Sequence, residues 1–198
     1  VVGLLLGAFN GVVITKLRVH SFLATLASSM IFTTVAVLIT GGSLITVTTP
    51  GFTALGRNRV AGVFIAVFVM IVVVALLWFV LSRTVFGRHV YAIGGNPEAA
   101  ELSGVHVSWT RVIVFALSGL AAGTAAAIGV SRIASGQPLA GAGLELSAIA
   151  AVILGGTSIY GGIGAVWRSV AGVFLIALIG NGFDLLNLNP QLKDMVTG

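Results

Sequence analysis

The chain has 198 residues, 58% of them hydrophobic and only 8% charged, against roughly 25% charged in an ordinary soluble domain. Ten basic and five acidic side chains cannot clothe a water-soluble globule of this size, and with a mean hydropathy of +1.14 the chain reads as an integral membrane protein. The net charge of +5 is scattered without a long basic run, which excludes a nucleic-acid surface, and the lack of Cys excludes disulfides, Cys-ligated metals and thiol catalysis.

The spaces between charges give the organisation. Val1-Val2-Gly3-Leu4 is apolar from the first residue, with no initiator Met and no charged leader, so the chain reads as starting inside a span of something longer. A helix needs about 20 mostly apolar residues to cross the hydrocarbon core. The uncharged stretches between Arg59 and Arg83, Arg111 and Arg132, and Glu145 and Arg168 each suit one crossing. The longer one between Arg18 and Arg57 suits a crossing plus a Gly/Thr-rich stretch, Gly41 to Gly56, that is not regular helix throughout. Spans are predicted near 1–14, 21–41, 61–82, 110–131, 146–163 and 166–186, all helical, because runs this apolar satisfy their backbone in lipid only as helices. Alternation then places Lys16, Arg18, Arg83, Arg88, Arg111 and Arg168 on one side and Arg57, Arg59, Arg132 and Lys193 on the other. The first group is assigned to the cytoplasm by the positive-inside rule, with Trp78, Trp109 and Trp167 at the same helix ends.

In chain order, the first span carries Gly3, Gly7 and Gly11 at four-residue steps, a pattern repeated by Gly119 and Gly123 in the fourth, which lets helix backbones approach closely in lipid. The second sets Ser21, Thr25, Ser28 or Ser29, and Thr33 on one helical face. Two readings stand: hydrogen bonding between helices, or a polar lining for a solute path. The insert 83–109 is the one hydrophilic stretch. Gly94-Gly95 reads as a turn, Asn96 as an N-cap, Pro97 as the first helical residue and Glu98 as an acid at the positive end of the dipole. A short helix from Pro97 to about Leu102, closed by Gly104, follows, and such a helix suits docking of another protein. Finally, Gly155, Gly156, Gly161, Gly162 and Gly164 fall within ten residues. At about 1 kcal/mol each against Ala they break a helix, and irregular backbone at membrane depth survives only when covered by protein or lining a cavity.

No span holds a charge near its middle, which argues against an intramembrane proton relay and against an acid–base or metal enzyme. No P-loop, zinc-protease or serine-hydrolase motif is present. His20, His89 and His106 are scattered at loop positions. No catalytic residue, metal ligand or cofactor is therefore assigned.

The stretch Gly87-Arg88 … Tyr91-Ala92-Ile93-Gly94-Gly95-Asn96-Pro97-Glu98-Ala99-Ala100 … Ser103-Gly104 resembles the cytoplasmic loop of ABC-importer permeases of the ribose/xylose/galactose type. Leu17-Arg18-Val19 … Ser21-Phe22 … Ala24-Thr25-Leu26 is similar to the same family, as are the run Glu145 to Ser158, Gly161-Gly162-Ile163-Gly164 and Asn181-Gly182. The resemblance covers essentially the whole chain, and family members are longer by about an N-terminal third and a final span. It implies an all-α, polytopic transmembrane helical bundle with broken Gly-rich helices and a cytoplasmic coupling helix. It also implies a multi-pass place in the cytoplasmic (inner) membrane of a bacterium.

The implied partners are a second permease subunit (identical or different), cytoplasmic ABC ATPase subunits, an extracytoplasmic sugar-binding protein and the lipid bilayer. ATP hydrolysis would reside in the partner chains. Gly94, Gly95, Asn96, Pro97, Glu98, Ala99, Ala100, Ser103 and Gly104 would form the ATPase-coupling segment, whose movement would tilt the flanking spans 61–82 and 110–131. Thr25, Ser29 and Asn181 stand as candidates for the solute path. Two residues depart from the family pattern: His20 stands where Pro is usual, and Arg168 where Gly is usual. The alternatives are a permease for branched-chain amino acids and, from another class, an ion-coupled secondary transporter. The latter would need a charged site in spans outside this chain.

Overall fold

A computed structural model describes residues 1–60 and 62–186. Lys193, placed above opposite the larger basic group, lies outside the described residues. The fold is all-α and transmembrane. Among the described residues the helices are α1 (Val2–Leu17), α2 (Ser21–Thr40), α3 (Pro50–Arg57), α4 (Ile65–Arg83), α5 (Val85–Gly95), α6 (Pro97–Leu102), α7 (Val107–Ile133), α8 (Leu144–Leu154) and α9 (Val166–Leu185). Two-residue strands β1 (Ile45–Thr46), β2 (Arg59–Val60), β3 (Val63–Phe64) and β4 (Ser135–Gly136) form short antiparallel pairs, β1 with β4 and β2 with β3. Helices α2, α4, α7 and α9 are long and apolar enough to cross a membrane. Exposed Phe68, Ile71, Val72, Leu76 and Phe79 make α4 apolar all round, as a lipid-facing helix is.

The chain divides into two compact units, Val1–Ala75 with His106–Ala140, and Leu76–Val105 with Gly141–Gly198. In the first, α1 lies against α7 along the glycine steps. A Cβ on Gly7 would run into the Phe115 carbonyl and come within 3.1 Å of the Gly119 Cα. A Cβ on Gly119 would in turn run into the Gly3 carbonyl. The two glycine patterns noted in the sequence are thus each other's partners. Apolar side chains gain little by leaving lipid, so this backbone-to-backbone approach and the dispersion contacts it allows hold the pair. At 27 residues α7 is about 40 Å long, more than the hydrocarbon core needs. It ends in Ala134, a left-handed residue at φ 57, as α1 ends in Arg18 at φ 52.

The end of α7 carries a compact cap. Ser131 is fully buried; its Oγ donates to the Phe52 carbonyl at 2.5 Å and accepts from the Gly56 N–H at 2.7 Å, fixing α3 to α7. Val47 N–H donates to the Ala134 carbonyl at 2.9 Å, continuing the β1–β4 pair. Arg59 and Arg132 place their guanidinium carbons 4.4 and 5.4 Å from the centre of the Phe64 ring. Arg57 Nε donates to the Arg132 carbonyl at 3.4 Å, so three arginines share one end of α7. Ser131→Ala removes both bonds that fix α3 to α7 and is expected to destabilise this unit by about 1–3 kcal/mol. A thermal melt of the detergent-solubilised protein checks it, and an unchanged midpoint would remove Ser131 from that role.

Three expectations change. The α2 hydroxyls turn inward: Thr25 donates to the carbonyls of Ser21 and Phe22 at 3.0 and 3.1 Å, Ser29 to Leu26 at 2.8 Å, and Thr34 to Met30 at 2.8 Å. A hydroxyl on a lipid-facing helix finds the carbonyl of its own preceding turn sooner than a neighbour, so Thr25 and Ser29, for which bonding between helices was one of two open readings, bond within α2. The span predicted at 146–163 is helical only from Leu144 to Leu154. Its second half is the glycine-rich stretch, where the chain leaves the helix. Lastly, Gly94 and Gly95 are the last residues of α5 and not a turn; the direction changes one residue later, at Asn96.

Candidate functional site

The second unit holds the hydrophilic insert and the glycine-rich break. At its start Thr84 caps α5, accepting from the Gly87 N–H at 3.3 Å while donating to the Val80 carbonyl at 2.6 Å. Gly87 is buried with its Cα against the Leu81 carbonyl, where any side chain would collide. The chain therefore folds back sharply from α4 into α5.

Asn96 serves two helices. Its backbone N–H donates to the Ala92 carbonyl at 3.0 Å and closes α5, while its Oδ1 accepts from Ala99 N–H at 3.0 Å and opens α6. Pro97 takes the first helical position and Glu98 the first turn, where a carboxylate favours the dipole. At the far end Gly104 N–H donates to Glu101 and Val105 N–H to Ala100, at 2.9 and 3.0 Å. That pair is a Schellman closure, and Gly104 at φ 85 is the left-handed residue it requires. Ser103 Oγ adds a bond to the Ala99 carbonyl at 2.8 Å.

Six residues of helix are thus secured at both ends, although such a short helix is marginal alone in water. Only Ala100 of α6 is buried; Pro97, Glu98, Ala99 and Glu101 are exposed, and Leu102 is 91% exposed. The result is a rigid knob presenting two carboxylates and one bare leucine.

The break opens with a second Schellman closure. Gly156 N–H donates to Ile153 and Thr157 N–H to Val152, at 2.8 and 3.2 Å, with Gly156 at φ 81. Ser158 N–H then donates to the Ile163 carbonyl at 2.9 Å, so 158–163 forms a closed loop with Gly161 and Gly162 at φ 94 and 75. The loop lies against α5: a Cβ on Gly162 would come within 3.0 Å of both N and Cα of Gly95, and one on Gly161 within 2.6 Å of the Gly94 oxygen. Tyr91 Oη donates to the Gly164 carbonyl at 2.8 Å. On the other side, Thr157 and Ser169 share a hydroxyl–hydroxyl bond of 3.1 Å, and Gly155 and Gly172 let α8 and α9 meet backbone to backbone. Of the five glycines singled out in the sequence, Gly155, Gly161 and Gly162 sit where chain crosses chain, while Gly156 and the loop residues Ile159, Tyr160 and Ile163 are exposed.

The remaining candidates are scattered. Thr25 and Ser29 lie one turn apart on α2, each half-buried, while Asn181 is exposed near the end of α9 in the other unit. Arg168 stacks its guanidinium 5.9 Å from the Trp167 ring centre, which accommodates a charge at that helix start. Two features escaped the sequence reading. Tyr91 stands three residues before Gly94, on the same helical face, and a half-buried phenol seeks a hydrogen-bond partner; that spacing was the available signal. Asn10 in α1 keeps a buried Oδ1 without a hydrogen-bond partner, and an amide in an otherwise apolar run was the only sign of it. Among the described residues no three His, Asp or Glu side chains gather as metal ligands would.

Against known proteins, the sequence model of the family described as branched-chain amino acid transport system / permease component matches residues 1–198. The ribose import permease protein RbsC of Bacillus subtilis (strain 168) is 41% identical over 191 residues, 96% of this chain and 59% of that protein. The L-arabinose transport system permease protein AraH of Escherichia coli (strain K12) is 39% identical over 189 residues, 96% of this chain and 58% of that protein. The D-allose transport system permease protein AlsC of the same strain is 34% identical over 197 residues, 100% of this chain and 60% of that protein. This chain thus spans about three fifths of the length of the curated relatives it matches. No solved structure matches it.

Proposed function

The chain belongs to the branched-chain amino acid transport system / permease component family, and from that premise we propose that it is part of the permease subunit of an ATP-binding-cassette importer for a monosaccharide. The cargo follows the relatives: the family is described by branched-chain amino acids, but those relatives bear the names of ribose, L-arabinose and D-allose permeases. The membrane is the cytoplasmic membrane of a bacterium. Its partners are a second permease subunit, cytoplasmic ATPase subunits and an extracytoplasmic sugar-binding protein.

The observation that carries this reading is α6, a helix stabilised at both ends whose outer face touches nothing in its own unit. Residues 94–104 are the coupling segment, docked in a groove of the ATPase. ATP binding closes the ATPase pair, and its differential affinity for the two permease states supplies the work. Thr25, Ser29 and Asn181 stay as solute-path candidates, with Thr25 and Ser29 able to offer a hydroxyl lone pair while their protons stay on the helix backbone.

In proteoliposomes holding the intact transporter, sugar-loaded binding protein is expected to raise ATP hydrolysis and drive uptake. Uptake that proceeds without nucleotide would overturn the proposal in favour of an ion-coupled transporter. Stimulation by a branched-chain amino acid and its binding protein instead would keep the class and change the cargo.

A further inference from the structure

If residues 94–104 receive the push of an ATPase, that push must leave α6 by some route. The long helices before and after the insert, α4 and α7, are the obvious one. The contacts of the second unit offer another. Asn96 closes α5 and opens α6 with the same residue, so the two helices have no slack between them. Tyr91 and Gly94 lie three residues apart on one face of α5, and that face meets the glycine-rich break. The Tyr91 hydroxyl holds the Gly164 carbonyl at 2.8 Å, and Gly94 touches the backbone of Gly161 and Gly162.

From the break, Thr157 reaches Ser169 and Gly155 meets the Arg168 carbonyl, both on the first turn of α9. The break has the means to act as a hinge. Gly156, Gly161 and Gly162 all hold positive φ, a region L side chains rarely adopt, and a few such residues can absorb a change of direction.

Resting on the function proposed above, we infer that α5 is the joint between the coupling helix and α9. Tyr91 is its positioning residue, passing movement of α6 to the break through the Gly164 carbonyl and the Gly94–Gly162 contact. A packed, hydrogen-bonded contact is a candidate route only until coupling is measured, so the test reads coupling directly.

The intact transporter, with ATPase subunits and sugar-loaded binding protein, is reconstituted and the sugar moved per ATP hydrolysed is measured. Tyr91→Phe keeps the ring and deletes one hydrogen bond. It is expected to lower that ratio about fivefold, with ATPase subunits copurifying as in wild type and hydrolysis without sugar unchanged. Gly94→Ala pushes a methyl into the Gly162 backbone and is expected to lower the ratio further. A wild-type ratio in Tyr91→Phe overturns the joint, as does a loss in Tyr91→Phe traced wholly to weaker ATPase copurification. Should Gly94→Ala fail to assemble, Tyr91→Phe alone decides. Failure of the function proposed above is separate and visible in the wild type, as absence of any ATP-driven uptake.

Discussion

Replacing Gly119 with Leu is expected to part α1 from α7 and to destabilise the first unit by about 3–5 kcal/mol, at the upper end for single substitutions. The reason lies in what the added atoms meet. A Cβ at Gly119 collides with the Gly3 carbonyl and stands within 3.0 Å of the Gly7 N and Cα. These are backbone atoms of a neighbouring helix and cannot step aside as a flexible side chain can, so the helices must separate along the whole seam. In lipid no hydrophobic drive restores them.

Gly129, nearly three turns further along the same helix, is the control. No atom lies within 4 Å of a Cβ built there, so Gly129→Ala is expected to be neutral or to stabilise α7 by up to about 1 kcal/mol. Thermal melting and detergent resistance of the two variants separate the cases. Equal behaviour would mean that the glycine seam does not hold α1 and α7 together.

Charge reversal at Glu98, or replacement of residues 96–100, is expected to abolish coupled transport while leaving membrane insertion intact. Glu98 is exposed in the first turn of α6, away from the contacts that hold α5. Its substitution by Arg therefore disturbs the fold little, beyond the few tenths of a kcal/mol lost at a helix N-terminus. At a docking surface the same reversal sets like charges together or strips a carboxylate of its partner, which costs several kcal/mol and hence more than tenfold in affinity. Leu102, bare beside the two carboxylates, suits the apolar centre of such a surface. The readout is ATP hydrolysis stimulated by sugar-loaded binding protein, together with copurification of the ATPase. Normal stimulation in Glu98→Arg would exclude α6 as the docking helix.

How legible this was from the sequence depended on whether the signal was local. The α6 helix was readable because Asn96, Pro97, Glu98 and Gly104 act within a few residues of one another, and each occupies the cap or turn position its chemistry favours. The seam was readable because Gly3, Gly7, Gly119 and Gly123 repeat at one helical step, though the spacing alone did not pair them. The sequence did not reveal α5 as a helix: Gly94-Gly95 looks locally like a turn, yet at Gly94 a side chain is excluded by Gly161 and Gly162, which press against it from far along the chain. The end of α8 was legible by contrast, since Gly155, Gly156 and the glycines after them interrupt the apolar run at Leu154, but the contacts they make with α5 and α9 were not. The hydroxyls of α2 showed the right spacing for a polar face but not the direction of their protons. The cap on α7, made by Ser131 with Phe52 and Gly56, joins residues more than seventy positions apart and left no local trace.

That cap also offers a reporter. Because Ser131 ties α3 to α7 at two points, the short helix follows any tilt of the long one. Gly51, on the first turn of α3, has open space around it, and this chain carries no cysteine of its own. A single thiol introduced there and tagged with a fluorophore or a spin label would follow the inclination of α7 without a probe being placed on α7 itself.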